Sequence, residues 1–129
     1  MAVPAHKLPG PDHPIAIQPT LDRVVVKFGG EVIADTIRAL TLREARYSPV
    51  QYIPREDVRM DLLSRTAHQS HCPYKGDASY FTIQVKDRRS ENAAWSYEHP
   101  FDAVKEIADH LAFYPDRVDS IEILAATPE

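Results

Sequence analysis

The densest run of chemically capable side chains is His71-Cys72-Pro73-Tyr74-Lys75-Gly76. A thiol attacks as its thiolate, and a nearby cation stabilises that form. Lys75 supplies such a cation if the chain folds back, and Gly76 permits the sharp turn that folding back needs. Cys72 and Lys75 are therefore the candidate catalytic pair, with Cys72 as nucleophile or redox thiol. His71 is next in sequence and points to the opposite side of an extended chain, so Lys75 or Glu44 is the better partner. The plainer reading makes Cys72 a small buried hydrophobe and Pro73 a stiffener of its loop. One cysteine beside one histidine cannot supply a tetrahedral zinc set, and His68 adds only one further donor. No metal and no cofactor are expected.

Arg38, Glu44, Arg55 and Asp57 form a looser group near expected strand ends, where polar side chains can converge on a cleft. As surface ion pairs they would contribute little. Asp57 follows Pro54 closely enough to accept backbone N–H groups in a turn. Glu44 ends an alternating strand, and a carboxylate held inside needs a cationic partner, which Arg38 or Arg55 would provide. The aromatic residues Tyr52, Tyr74, Tyr80, Trp95, Tyr97 and Tyr114 are either core and cross-strand pairs or the wall of a pocket. Trp95 and Tyr97 share one strand face, as do Ala78 and Tyr80. If those two strands pair, Tyr80 and Tyr97 flank the Cys72–Lys75 loop.

The elements that must position these groups read mostly as β. Arg23 to Phe28 is rich in β-branched residues, Gly29-Gly30 suits a two-residue turn, and Glu31 to Asp35 returns as a hairpin partner. Further strands are expected over Ala39–Arg43, Val50–Ile53, Met60–Ser64, Ser79–Val85, Asn92–Tyr97 and Val118–Leu124, with a tight turn at Arg55–Asp57 and a loop from His68 to Gly76. One α-helix is expected after Pro100, because Phe101, Val104, Ile107, Ala108 and Leu111 recur at roughly helical spacing. Ahead of all this, Pro4, Pro9, Pro11, Pro14 and Pro19 make residues 1–20 a proline-rich arm that lies against its own domain or a neighbouring chain. Residues 21–129 then form a single domain.

Composition bounds the function classes. The 129 residues carry 15 Lys+Arg against 19 Asp+Glu, a formal charge of −4, which speaks against a nucleic-acid-coating role. A single cysteine excludes an internal disulfide framework. No apolar run approaches the roughly 18–20 residues of a membrane span, and no apolar leader opens the chain. A soluble, cytoplasmic protein is expected.

The segments from Arg38 through Tyr52-Ile53-Pro54-Arg55-Glu56-Asp57-Val58, then Cys72-Pro73-Tyr74-Lys75-Gly76-Asp77-Ala78-Ser79-Tyr80, Asn92-Ala93-Ala94-Trp95-Ser96-Tyr97 and Ala112-Phe113-Tyr114-Pro115, resemble the bacterial family of domain of unknown function 427. The resemblance runs in order over residues 22–124. It implies a β-tent-like fold, two antiparallel sheets leaning together as in methionine sulfoxide reductase B and the Yippee-like proteins. Those relatives hold zinc through paired Cys-x-x-Cys motifs, which this sequence lacks, so their zinc is not carried over. The family also bears a nucleotidyltransferase-like label. No Gly-Ser element with paired aspartates and no phosphate-cradling glycine loop accompanies it here.

Three readings of function follow. The first is binding of a small anionic or carbonyl-bearing molecule in a pocket lined by Tyr52, Arg55, Cys72, Lys75, Tyr80, Trp95 and Tyr97, with Arg38, Glu44 and Asp57 nearby. The second is an enzyme using Cys72. The third is an interaction module, homo-oligomeric through the proline-rich arm.

Overall fold

Arg23–Phe28 and Glu31–Thr36 pair antiparallel across Gly29-Gly30, whose φ angles of 62° and 82° meet the demand of a two-residue hairpin turn for two left-handed residues. These strands are β2 and β3. In the computed structural model, residues 5–125 are described; residues 1–4, with Pro4 of the expected arm, and 126–129 lie outside them. β1 is Ile15–Pro19, β4 Leu40–Glu44 and β5 Val50–Pro54. β6 is Leu63–Cys72, β7 Gly76–Val85, β8 Arg88–Ser96, β9 His110–Phe113 and β10 Ser120–Leu124.

The strands form two antiparallel sheets. One has seven strands in the order β1-β4-β5-β9-β8-β7-β6, and the other three in the order β10-β2-β3. Successive strand residues face opposite sides, so the inner strands β5, β9, β8 and β7 of the larger sheet serve two cores. Ile53, Phe81, Ala94, Leu111 and Phe113 pack with Val24, Val26, Phe28 and Ile33 between the sheets. Their chain neighbours Tyr52, Tyr80, Trp95 and Ala112 pack on the opposite face with Leu42, Tyr97, Val104 and Ile107.

Two expectations are corrected. No α-helix occurs among the described residues, so none is long and apolar enough to cross a membrane. Asp102–Ile107 instead forms 3₁₀ turns interrupted at Val104 (φ −128°, ψ 29°). Val104 and Ile107, both fully buried, sit at the three-residue spacing such turns repeat. Asp109 then adopts φ 57°, and the residues beyond it are captured as β9 between β5 and β8, where Leu111 meets Ile53 and Ser96. A ladder with two partner strands satisfies backbone groups that a short helix end would leave open. Likewise Met60–Leu62 is a 3₁₀ turn, and the strand begins at Leu63 and runs through the expected loop to Cys72. The loop shrinks to Pro73-Tyr74-Lys75, closed by Lys75 N–H donating to the Cys72 carbonyl at 3.2 Å and by Gly76 at φ 111°.

Proline keeps residues 5–14 out of regular structure but not away from the domain. Ile15–Pro19 pairs with β4 as an edge strand, where Pro19 terminates the ladder without breaking it. Ahead of it, Lys7 N–H donates to the Pro73 carbonyl at 2.8 Å, and Ala45 N–H to the Pro14 carbonyl at 2.8 Å. The described part of the arm thus lies on its own domain.

Candidate functional site

β4 and β7 stand four places apart in the larger sheet, which at about 4.8 Å per strand would separate them by about 19 Å if the sheet were flat. Yet Lys75, the last residue of the turn before β7, bonds through its ammonium to the Glu44 carboxylate at the end of β4. The sheet therefore curls around the aromatic core, and its curl assembles the site. The other Glu44 oxygen accepts from His13 Nε2 at 2.7 Å, and the His13 ring stacks on Tyr74 with centroids 3.9 Å apart. Burial by itself would raise the Glu44 carboxyl, but Lys75 and His13 more than offset it and leave the group below its ordinary range. The Lys75 ammonium also stands 5.7 Å from the centre of the Tyr97 ring.

Beneath this ion triad lie the aromatics. Trp95 meets Tyr52 edge-on at 6.3 Å, its Nε1–H donating to the Tyr52 hydroxyl at 3.3 Å, and its ring leans on Tyr114 at 4.4 Å. The Tyr80 hydroxyl lies 2.8 Å from Ser70 Oγ and accepts from Tyr114 at 3.4 Å, while His68 meets its ring edge-on. Burial pushes the Tyr52 and Tyr97 phenols far above their usual range, and burial followed by the Tyr80 contact pushes Tyr114 up to about 12. These phenols stay protonated donors. Cys72 is half-buried against the same cluster. Among the described residues its sulfur takes part in no hydrogen bond, and Lys75 spends its charge on Glu44.

So Glu44, Tyr52, Cys72, Lys75, Tyr80, Trp95 and Tyr97 gather on one face. Arg38, Arg55 and Asp57 do not. Asp57 accepts from Thr36 Oγ1 at 2.7 Å and from Arg38 at 3.2 Å, side-chain donors rather than the backbone groups its turn suggests. Arg55 donates to Glu98 at 3.1 Å and also to Asp109. Arg65 shares Glu98, and the two guanidiniums lie 5.4 and 5.2 Å from the Phe81 ring centre, on the face opposite Tyr80. Neither arginine is the partner of Glu44. Lys75 and His13 are.

Beside Trp95 a cleft of about 390 Å³ opens between the sheets, walled by Val26, Ile53, Phe113, Ile121 and Ile123. It forms because β5 and β9 pair only at Ile53–Leu111 and Pro54–His110 and then diverge. The polar side chain in its wall besides Trp95 is Gln51, whose carboxamide is already bonded to the Thr20 and Thr41 hydroxyls. Volume and lining both fall in the range of small-molecule sites.

A family model described as domain of unknown function, DUF427, matches residues 16–123. The chain belongs to that family. No curated protein matches the chain. The matched span of the DUF427 domain runs from β1 to β10 and takes in the triad's Glu44 and Lys75, the aromatic core and the cleft, whereas His13 precedes it. His13 and Glu98 were missed in the sequence. His13 lies 31 residues from Glu44 and in a proline-rich stretch, with no local pattern to link them.

Proposed function

We propose that this DUF427 domain binds a small, predominantly apolar, carbonyl-bearing molecule in the cleft between its sheets, with Trp95 against the bound ligand. The observation that carries the reading is the cleft itself, about 390 Å³ walled almost wholly by aliphatic and aromatic side chains. Burial of apolar ligand surface supplies the affinity. The Trp95 Nε1–H, whose contact with the Tyr52 hydroxyl is long at 3.3 Å, is the donor in this wall for a ligand carbonyl. An anionic ligand is disfavoured because no lysine or arginine side chain lines the cleft.

Trp95 is the only tryptophan in the chain, so its emission reports on the cleft directly. A panel of neutral aromatic and aliphatic carbonyl compounds is screened by thermal shift and by Trp95 fluorescence. At least one is expected to raise the melting temperature by mass action and to change the emission. Ile123→Lys, a change at a half-exposed wall position, is expected to abolish both effects, while Lys75→Ala leaves them in place. A response lost in Lys75→Ala but kept in Ile123→Lys moves the ligand to the ion triad and overturns the cleft. So does a panel without effect.

A further inference from the structure

Residues 5–9 run along the end of the β6–β7 hairpin and make three contacts, with the turn, with β6 and with Phe101 beside them. Lys7 N–H donates to the Pro73 carbonyl, and the His6 ring stacks on Phe101 with centroids 3.8 Å apart. The third contact is His71, whose Nδ1 lies 2.7 Å from Asp77 Oδ1 and whose Nε2 lies 2.6 Å from the Ala5 carbonyl oxygen. Both of these partners are acceptors without a proton to give. A neutral imidazole carries one N–H and can satisfy only one of them; the imidazolium satisfies both. We propose that residues 5–9 form a strap latched over the Cys72–Lys75 turn by the protonated His71 ring, and released when that ring loses its proton.

The groups facing His71 favour this assignment. From β7 the Asp77 carboxylate attracts the proton, and from the strap the Ala5 carbonyl does so more weakly; together they hold the ring above the ordinary imidazole range. From the segment after β8 the uncharged Phe101 ring meets His71 edge-on at 6.0 Å. Lys7 is the positive group of the strap and opposes the proton, and the His6 ring of the strap stacks on the same Phe101 ring. On deprotonation Asp77, the stronger acceptor, keeps the remaining N–H at Nδ1. The Nε2 lone pair then faces the Ala5 oxygen, an unfavourable contact. The folded ring's affinity for the proton is raised, so the latch is complete below the free-imidazole value and is lost as pH rises through the raised one.

The strap has a fixed end. Gly10 and His13 exchange backbone hydrogen bonds of 3.2 and 2.9 Å between Pro9 and Pro14, and His13 donates to Glu44 through Nε2, a bond that a neutral ring still makes. Among the described residues, 5–9 are set free, hinged at Gly10.

Hydrogen exchange at the Lys7 amide, divided by its intrinsic rate to remove base catalysis, reads the latch. The wild-type protection factor is expected to fall about tenfold between about pH 6 and about pH 8.5, the effect of one charge-assisted bond. H71Q removes the charge at an exposed position and is expected to show the low value at both pH values. H71K keeps a cation with several donors throughout and is expected to keep the high value at both. Equal wild-type protection at the two pH values, or H71Q matching wild type at the lower one, overturns the latch. Unchanged Trp95 emission checks that each variant is folded.

Discussion

Glu98 shows at the scale of one residue how position converts an ordinary carboxylate into a structural anchor. Arg65, against the opposing effect of burial, and then Arg55 and Ser79 hold its carboxyl down to about 2. A depressed carboxylate contributes stability that is complete above its unfolded value and lost as pH falls through the folded one. Glu98→Gln is accordingly expected to lower stability by on the order of 2 kcal/mol at neutral pH, read from urea midpoints. The gap between variant and wild type should hold steady above about pH 5 and close as the pH falls towards 2. A gap independent of pH would mean that Glu98 acts by packing and not by charge. Glu44 differs in kind. It is 8% exposed, its two partners come from the N-terminal arm and from the β6–β7 turn, and its charge is balanced inside the molecule rather than presented to a ligand.

At the scale of the element, the β6–β7 turn determines where Lys75 and Cys72 stand. Gly76 ends that turn at φ 111°, a conformation closed to residues with a Cβ, although a Cβ placed there would meet His99, Pro100 and Phe101 atoms only at an ordinary 3.6 Å. Backbone strain therefore dominates the cost of substitution. Gly76→Ala is expected to lose about 1–3 kcal/mol and to weaken the Lys75–Glu44 pair, seen as a lower denaturation midpoint and broader Lys75 side-chain resonances. The segment Asp102–Ile107 illustrates the opposite balance. Its residues favour a helix, but the turn is short, and pairing of His110–Phe113 on both edges outweighs a helix of so few residues.

For the whole molecule, the decisive feature is a seven-stranded sheet that serves two cores, one shared with the smaller sheet and one wrapped by its own curl. The N-terminal residues belong to the second core, since Ile15 and Ile17 pack on it. Removing residues 1–9 is expected to change the melting temperature little, whereas removing residues 1–19 strips an edge strand and two half-buried isoleucines and costs about 2 kcal/mol. Light scattering on the shorter truncation separates two roles for the arm. A bridge between chains would change the particle mass; a strap on its own domain would not, and the latter is expected.

What local pattern governs was legible in the residues. The β2–β3 hairpin follows from β-branched strands around Gly29-Gly30, and the two-faced strand over Ser79–Val85 follows from its alternation, because both signals act between near neighbours. Family membership was likewise legible, through short blocks such as Cys-Pro-Tyr-Lys-Gly. Helix against strand at Leu111 was not, because the spacing of Val104, Ile107 and Leu111 reads as helical and only the neighbouring strands, through their hydrogen bonds, draw His110–Phe113 into the sheet. Nor could the residues alone choose the counter-ion of Glu44 or reveal the cleft beside Trp95. Those depend on how far a sheet curls and where two strands part, properties of the packed sheets that no stretch of chain encodes by itself.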